Sequence, residues 1–299
     1  MKLFGNVGVR NDLSVCEWVH EKGTAVSGSI VVATFVFGAM VGSFLNVCIH
    51  RLPRDLSVIL PSSHCPACQT TLRVVDNIPF FSFLALRGRC RYCNVKISWR
   101  YPFVEALNGL VYVVTVEKFG LESVTLVYAL LLSALIVVIF IDFDYQIIPN
   151  EITFPGMLLG FLSAVTVLPI SWQDSVGGLL CGGGVLFFVV WISPYIFGRE
   201  GMGMGDVKLL AMLGAFLGWK ATLFTLLLAS FSGAMVGLIL LATKLITRRE
   251  PIPFGPFLAL GGVMVIFFGE GLIEWYGGLF EVESSRLGEG PTLVNYEIR

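Results

Sequence analysis

The sequence predicts an all-α polytopic membrane protein of about eight transmembrane helices that carries one small zinc-ribbon-like cytoplasmic insert. Three observations predict it. The mean hydropathy is +0.82, with 56% hydrophobic and 14% charged residues among 299, more apolar surface than a soluble core needs. Apolar stretches of roughly 15 to 24 residues, the length that a bilayer sets for a helix, recur along most of the chain. The long hydrophilic interruption, residues 51–101, holds two Cys-x-x-Cys pairs. The net charge of -1 is uninformative as a total, and no nucleic-acid partner is expected.

Residues 1–27 mix polar and apolar positions without periodicity and without an obvious cleavable signal peptide, which reads as a non-cytoplasmic tail. The first transmembrane helix is expected over 28–50, where Gly38, Gly42 and Ser43 leave room for a second helix to approach closely. The insert 51–101 has eight basic residues against two acidic ones. Basic loops stay on the cytoplasmic side, so the insert is placed inside the cell and the N-terminus outside. Further spans are expected near 103–117, 123–142, 152–170, 175–197, 207–218, 221–243 and 254–277, together a transmembrane domain over 102–278. The acidic segment 279–299 reads as a tail outside the membrane.

Within the insert, Cys65, Cys68, Cys90 and Cys93 form two pairs separated by 21 residues. Each pair offers two thiolates from one tight turn, and four thiolates close a tetrahedral shell around a structural metal. A reducing cytoplasm disfavours the disulfide reading. His64 beside Cys65 is an alternative ligand that four cysteines make unnecessary, and Cys48 and Cys181 read as small residues buried in apolar runs.

Carboxylates at the lips of apolar segments are costly to desolvate, so they are solvated, neutralised or kept for chemistry. Asp206 follows Gly201, Gly203 and Gly205 in a glycine-rich turn, and Asp142 and Asp144 close another apolar run. Two facing carboxylates that share a proton activate water as an aspartic protease does. The bland reading of Asp206 is a helix N-cap, with Lys208 near enough to orient a carboxylate. Spacing leaves open whether Asp142 or Asp144 faces it. Gly177, Gly178 and Gly182–Gly184 read as helix packing, and Pro253, Gly255 and Pro256 as a shaped entry to the last span or a simple turn.

Taken in order, Gly42-Ser43-Phe44-Leu45-Asn46-Val47, the two cysteine pairs, Asn77-Ile78-Pro79, Leu86-Arg87-Gly88-Arg89-Cys90, Arg100-Tyr101-Pro102-Phe103-Val104-Glu105, Asp142-Phe143-Asp144 with Ile148-Pro149-Asn150, Gly203-Met204-Gly205-Asp206-Val207-Lys208 and the stretch Pro253 to Phe257 form a specific set. This set resembles the type 4 prepilin peptidase family, prepilin leader peptidase/N-methyltransferases that are membrane aspartic proteases of the G-x-G-D class. The resemblance implies that Asp206 is one catalytic aspartate and that Asp142, six residues before Ile148, is the other, with Asp144 as runner-up. It implies zinc in the four-cysteine domain and leader cleavage of type 4 prepilins or type 2 secretion pseudopilins. It further implies S-adenosylmethionine-dependent methylation of the new N-terminus. The Gly-Lys pair tied to methylation in the family reads Gly88-Arg89 here, which keeps the charge and changes its geometry. The expected setting is the bacterial inner membrane, in contact with lipid and with a pilus or type 2 secretion machine, the cysteine domain and both aspartates on the cytoplasmic side. Rival readings are a polytopic transporter with interfacial carboxylates and a non-catalytic pilus or secretion assembly factor.

Overall fold

The computed structural model describes residues 27–60, 62–65, 67–197, 203–244, 252–269 and 271. The tails, Arg199 and Gly201 of the glycine-rich turn, and residues 272–277 of the expected last span lie outside the described residues. The described residues form helices α1 (Gly28–Arg51), α2 (Phe81–Ala85), α3 (Arg100–Phe119), α4 (Ser123–Tyr145), α5 (Asn150–Thr166), α6 (Trp172–Phe197), α7 (Met204–Ala242) and α8 (Gly255–Gly269), with two isolated β-bridges and no β-strand. Among them α1, α4, α6 and α7 are long and apolar enough to cross a membrane.

Helix α7 is not continuous. Gly218 adopts φ 79° and ψ 169°, a left-handed φ that glycine reaches without a Cβ clash. The expected gap between spans near 207–218 and 221–243 is this break. With α7 divided there and the short α2 set aside, eight helical segments stand where eight spans are expected. Thr222 Oγ1 donates to the Gly218 carbonyl at 2.7 Å and so restores a partner to the broken ladder.

Helix α6 packs on α7, α1 on α3, and α5 on α7. A Cβ at Gly178 would lie 2.2 Å from the Gly214 carbonyl oxygen, and one at Gly214 would lie 2.1 Å from that of Gly178. The α6 and α7 backbones are therefore in direct contact, and Ser175 Oγ ties them with a 2.7 Å bond to the Ala215 carbonyl. Packing was the expected role of Gly178 and Gly182 and is the observed one; Gly184 has open space beside it. The same logic joins α1 to α3, where a Cβ at Gly42 would sit 2.8 Å from Glu105 Cα and one at Gly38 2.9 Å from Gly109 Cα. Asn108, fully buried, donates to the Gly38 carbonyl at 2.7 Å and accepts from Ser133 Oγ at 2.8 Å, linking α1, α3 and α4.

The core lies where α4, α7 and α8 meet, with Leu132, Leu135, Val138, Leu209, Leu210, Leu213, Phe216 and Leu258 sealed from solvent. A second cluster, Leu45, Ile49, Val104, Ile136, Val137 and Ile141, joins α4 to α1 and α3. Helix α4 belongs to both clusters, and its last turn carries Asp142.

Candidate active site and cysteine cluster

Asp142 lies one turn before the end of α4, where Gln146 in the left-handed region returns its N–H to the Asp142 carbonyl at 3.0 Å. Asp206 lies in the first turn of α7. Both carboxylates are buried, 5% and 8% exposed, and their charges lie within interaction range of each other. The N–H of Gly255, the first residue of α8, donates to Asp142 Oδ2 at 3.0 Å. A Cβ at Gly255 would fall 2.6 Å from that oxygen, so only glycine leaves the backbone donor this close.

Ile148 packs between Gly205 and Gly255. Its side chain would lie 3.0 Å from a Cβ on Gly205, the neighbour of Asp206, and 3.1 Å from one on Gly255. Three separated stretches of sequence thus converge on one point.

Asp144 is elsewhere. It is exposed and ion-paired with Arg100 at the start of α3, whose Nη2 also reaches the Phe140 carbonyl at 3.4 Å. Two residues along a helix turn the side chain through about 200°, which separates Asp144 from Asp142. The cap reading of Asp206 is not what the structure has. Gly203 is the N-cap residue, there is no side-chain cap bond, and Asp206 receives no such role. Lys208 does not orient a carboxylate either. Its Nζ donates to Asn150 Oδ1 at 2.7 Å and lies over the Phe154 ring, so it ties α7 to the start of α5.

The four cysteine sulfurs of Cys65, Cys68, Cys90 and Cys93 all lie within 4.8 Å of one another, with Cys65 and Cys93 at 3.8 Å. A tetrahedron of sulfurs about 2.3 Å from a central zinc has edges of about 3.8 Å, so the spacing fits that ion. Both halves of the cluster have the same backbone. The Cys65 N–H bonds the Thr70 carbonyl and the Gln69 N–H bonds the Cys65 carbonyl; Cys90, Val95 and Asn94 repeat this pattern. Gln69 and Asn94 share a φ of 57° and 58°, and the bridges His64↔Thr71 and Arg89↔Lys96 close the two turns in the same register. His64 is turned to the Ser62 carbonyl, 3.2 Å away, and is not in the cluster.

Hydrogen bonds from Thr70 lower the Cys68 thiol to about 6. A backbone bond from Val95 acts to lower Cys93, yet desolvation and the neighbouring sulfurs push it up to about 12. Four thiols gathered this closely resist losing their last proton until a cation neutralises them.

Gly88 and Arg89 line an open cleft of about 650 Å³ together with Phe83, Leu84, Arg87, Lys96, Ile97 and Trp99. Sequence reasoning missed Gly255 and Ile148 as parts of the carboxylate site and Arg100 as the partner of Asp144. A backbone donor has no side-chain signature. The opposite charges of Arg100 and Asp144 were visible, but 44 residues separate them.

Two family models match the chain: the bacterial peptidase A24 N-terminal domain over residues 36–119 and the type IV leader peptidase family over 129–238. The chain is 38% identical over 266 residues to the prepilin leader peptidase/N-methyltransferase of Aeromonas hydrophila, covering 81% of this chain and 92% of the relative. It is 35% identical over 271 residues to that of Pseudomonas aeruginosa, covering 83% and 93%. It is 44% identical over 210 residues to that of Myxococcus xanthus, covering 70% and 63%. No solved structure matches significantly. Buried paired aspartates on separate helices, a four-cysteine cluster and two consecutive family matches agree, and the chain belongs to the type IV leader peptidase family.

Proposed function

We propose that this chain is a membrane aspartic endopeptidase that removes the leader of type 4 prepilins or type 2 secretion pseudopilins and N-methylates the residue so exposed. The carrying observation is the pair of buried carboxylates, Asp142 and Asp206, on helices that no local sequence links. One carboxylate takes a proton from water as the oxygen attacks the scissile carbonyl carbon. The other, protonated, donates to the carbonyl oxygen. The tetrahedral intermediate then collapses, the C–N bond breaks, and a carboxyl proton passes to the leaving amine. The Gly255 N–H holds Asp142 in place through these steps. Asp144, committed to Arg100, takes no part.

The cysteine domain holds zinc through Cys65, Cys68, Cys90 and Cys93. A shell of four thiolates has no open position, so the ion serves to fold the domain. S-adenosylmethionine supplies an electrophilic methyl group when bound. Of the cleft residues, Arg89 would meet its carboxylate, and Gly88 would keep the wall low beside it. The volume is that of a small-molecule site. The bacterial inner membrane, with the cysteine domain and both aspartates at the cytoplasmic face, is the setting that the basic insert supports.

The test is leader cleavage of a model prepilin by the full-length protein in membranes, with Asp142→Asn, Asp144→Asn and Asp206→Asn compared. Loss of cleavage in the first and third, with Asp144→Asn active, upholds the assignment. Normal cleavage by Asp206→Asn overturns it in favour of the transporter or assembly-factor readings.

A further inference from the structure

The segment Ile78-Pro79-Phe80-Phe81-Ser82-Phe83-Leu84 belongs to the hydrophilic insert by sequence position, yet it sits beside the membrane helices rather than beyond their ends. The Phe80 N–H donates to Glu105 Oε2 at 3.2 Å. Glu105 is buried on α3, five residues past the helix start at Arg100, or about 7 to 8 Å along its axis. The Phe80 ring stacks on Phe35 at 6.0 Å, with 22° between the planes. Phe35 is about four turns inside the end of α1 at Arg51. Asn46 Nδ2 of α1 reaches the Tyr101 carbonyl of α3 at 3.1 Å, so the entry of α3 stands level with Asn46, about one and a half turns inside the end of α1, and Phe35 lies about three turns deeper than that entry.

The chain reverses at Phe80, whose φ of 59° and ψ of -47° are rare for a bulky residue. The Phe81 N–H closes the turn onto the Pro79 carbonyl at 2.6 Å. The strained turn points one aromatic ring into the α1–α3 seam and leaves the following residues outside. Phe81 is 77% exposed, Leu84 71% and Trp99 74%. A wholly apolar groove of about 320 Å³ runs among Phe80, Phe83, Leu84, Trp99, Pro102 and Phe103. It is continuous with Phe103, an exposed residue on α3, and through Phe83, Leu84 and Trp99 with the cleft that carries the exposed Arg87 and Lys96.

We propose that this surface is a re-entrant, lipid-facing part of the cysteine domain: Phe81, Leu84 and Trp99 lie in acyl chains, and Arg87 and Lys96 meet the phosphates of anionic phospholipid. Water is a poor cover for so contiguous an apolar face. An interfacial segment with an apolar body and a basic edge takes up a position about 5 to 10 Å below the headgroups, which matches the depth of Phe80 on α3. Trp99 at the helix entry occupies the level where aromatic rings anchor membrane proteins. A basic leader peptide is a poor occupant, because Arg87 and Lys96 repel it.

The experiment puts a photo-crosslinking phenylalanine analogue at position 81, 84 or 92 of the full-length protein in nanodiscs of equimolar phosphatidylglycerol and phosphatidylcholine. Tyr92, exposed in the second cysteine turn, is the aqueous control. Phospholipid adducts at 81 and 84 but not at 92, seen by intact mass, are expected. Phosphatidylglycerol should exceed phosphatidylcholine in those adducts by about fivefold, and Arg87→Gln with Lys96→Gln should bring the two to parity. Absence of lipid adducts at 81 and 84, or equal yield at 92, overturns the immersion. Parity between the lipids in the unaltered protein overturns the headgroup pairing. Positions 81 and 84 are exposed, so neither replacement disturbs a packed neighbour.

Discussion

The cysteine cluster and the carboxylate pair each gather like groups at close quarters, yet they are held by opposite means. The cluster is local. Its ligands fall between Cys65 and Cys93, one backbone turn is used twice, and both turns close through their own hydrogen bonds. The carboxylate site is assembled from the ends of α4, α7 and α8, and the parts meet through packing around Ile148 and one long-range bond from Gly255. A local site can be locked by a single ion, whereas a distributed one depends on the packing of the whole bundle.

The largest effect should separate the two sites outright. Asp142→Asn or Asp206→Asn is expected to lower leader cleavage by about 10⁴-fold or more while cysteine-bound metal stays at one per chain, measured by metal analysis alongside the cleavage assay. Asp144→Asn should cost no more than about tenfold, since its exposed ion pair stands off the site. Equal losses in all three would erase the distinction between a facing and an averted carboxylate.

Next comes the metal. Cys65→Ser with Cys90→Ser should abolish metal binding and unfold the insert, because in such small domains apparent metal affinities of about 10 to 16 kcal/mol are folding energy. Limited proteolysis between residues 62 and 97 should rise sharply, with the transmembrane helices left intact. Smaller again, Gly255→Ala is expected to lower kcat for cleavage by about 10²-fold with little change in KM, because the added methyl meets Asp142 Oδ2 at 2.6 Å and displaces it. Gly214→Ala, about two turns along α7 from Asp206, should destabilise the α6–α7 contact by about 1 to 3 kcal/mol and lower the Tm in detergent, without altering metal content.

The smallest effect is a pH dependence. Hydrogen bonds from Arg91, then the Arg73 backbone and the positive charges of Arg91 and Arg73, hold the Asp76 carboxyl below its ordinary range. A depressed folded pKa contributes stability above the unfolded value of about 3.9, and that contribution is lost as pH falls through the lower folded value. Metal release on acidification should therefore begin at higher pH in Asp76→Asn than in the unaltered protein, the two curves converging at the acid end.

Much of this was legible because it is local or compositional. Segment positions followed from apolar length, and the gap before residue 221 foretold the Gly218 break. The cysteine spacing gave a cluster whose sulfurs are in fact close. The choice between Asp142 and Asp144 was not legible in the spacing, since it depends on how α4 is rotated against α7 and on Arg100 reaching it from α3. Gly255 looked like an element of a turn because a backbone N–H is common to nearly every residue. The segment 78–84 was grouped with a polar insert by its neighbours in sequence, whereas its level is set by Phe35 and Glu105, neighbours in space.

Ile148 touches the glycine beside one aspartate and the glycine whose amide holds the other. Its width therefore works as a gauge block between the two jaws. On the proposed function, the clearance for a peptide between them is calibrated by one branched aliphatic side chain with no chemistry of its own, and a methyl group more or less there resets the tolerance of the cut.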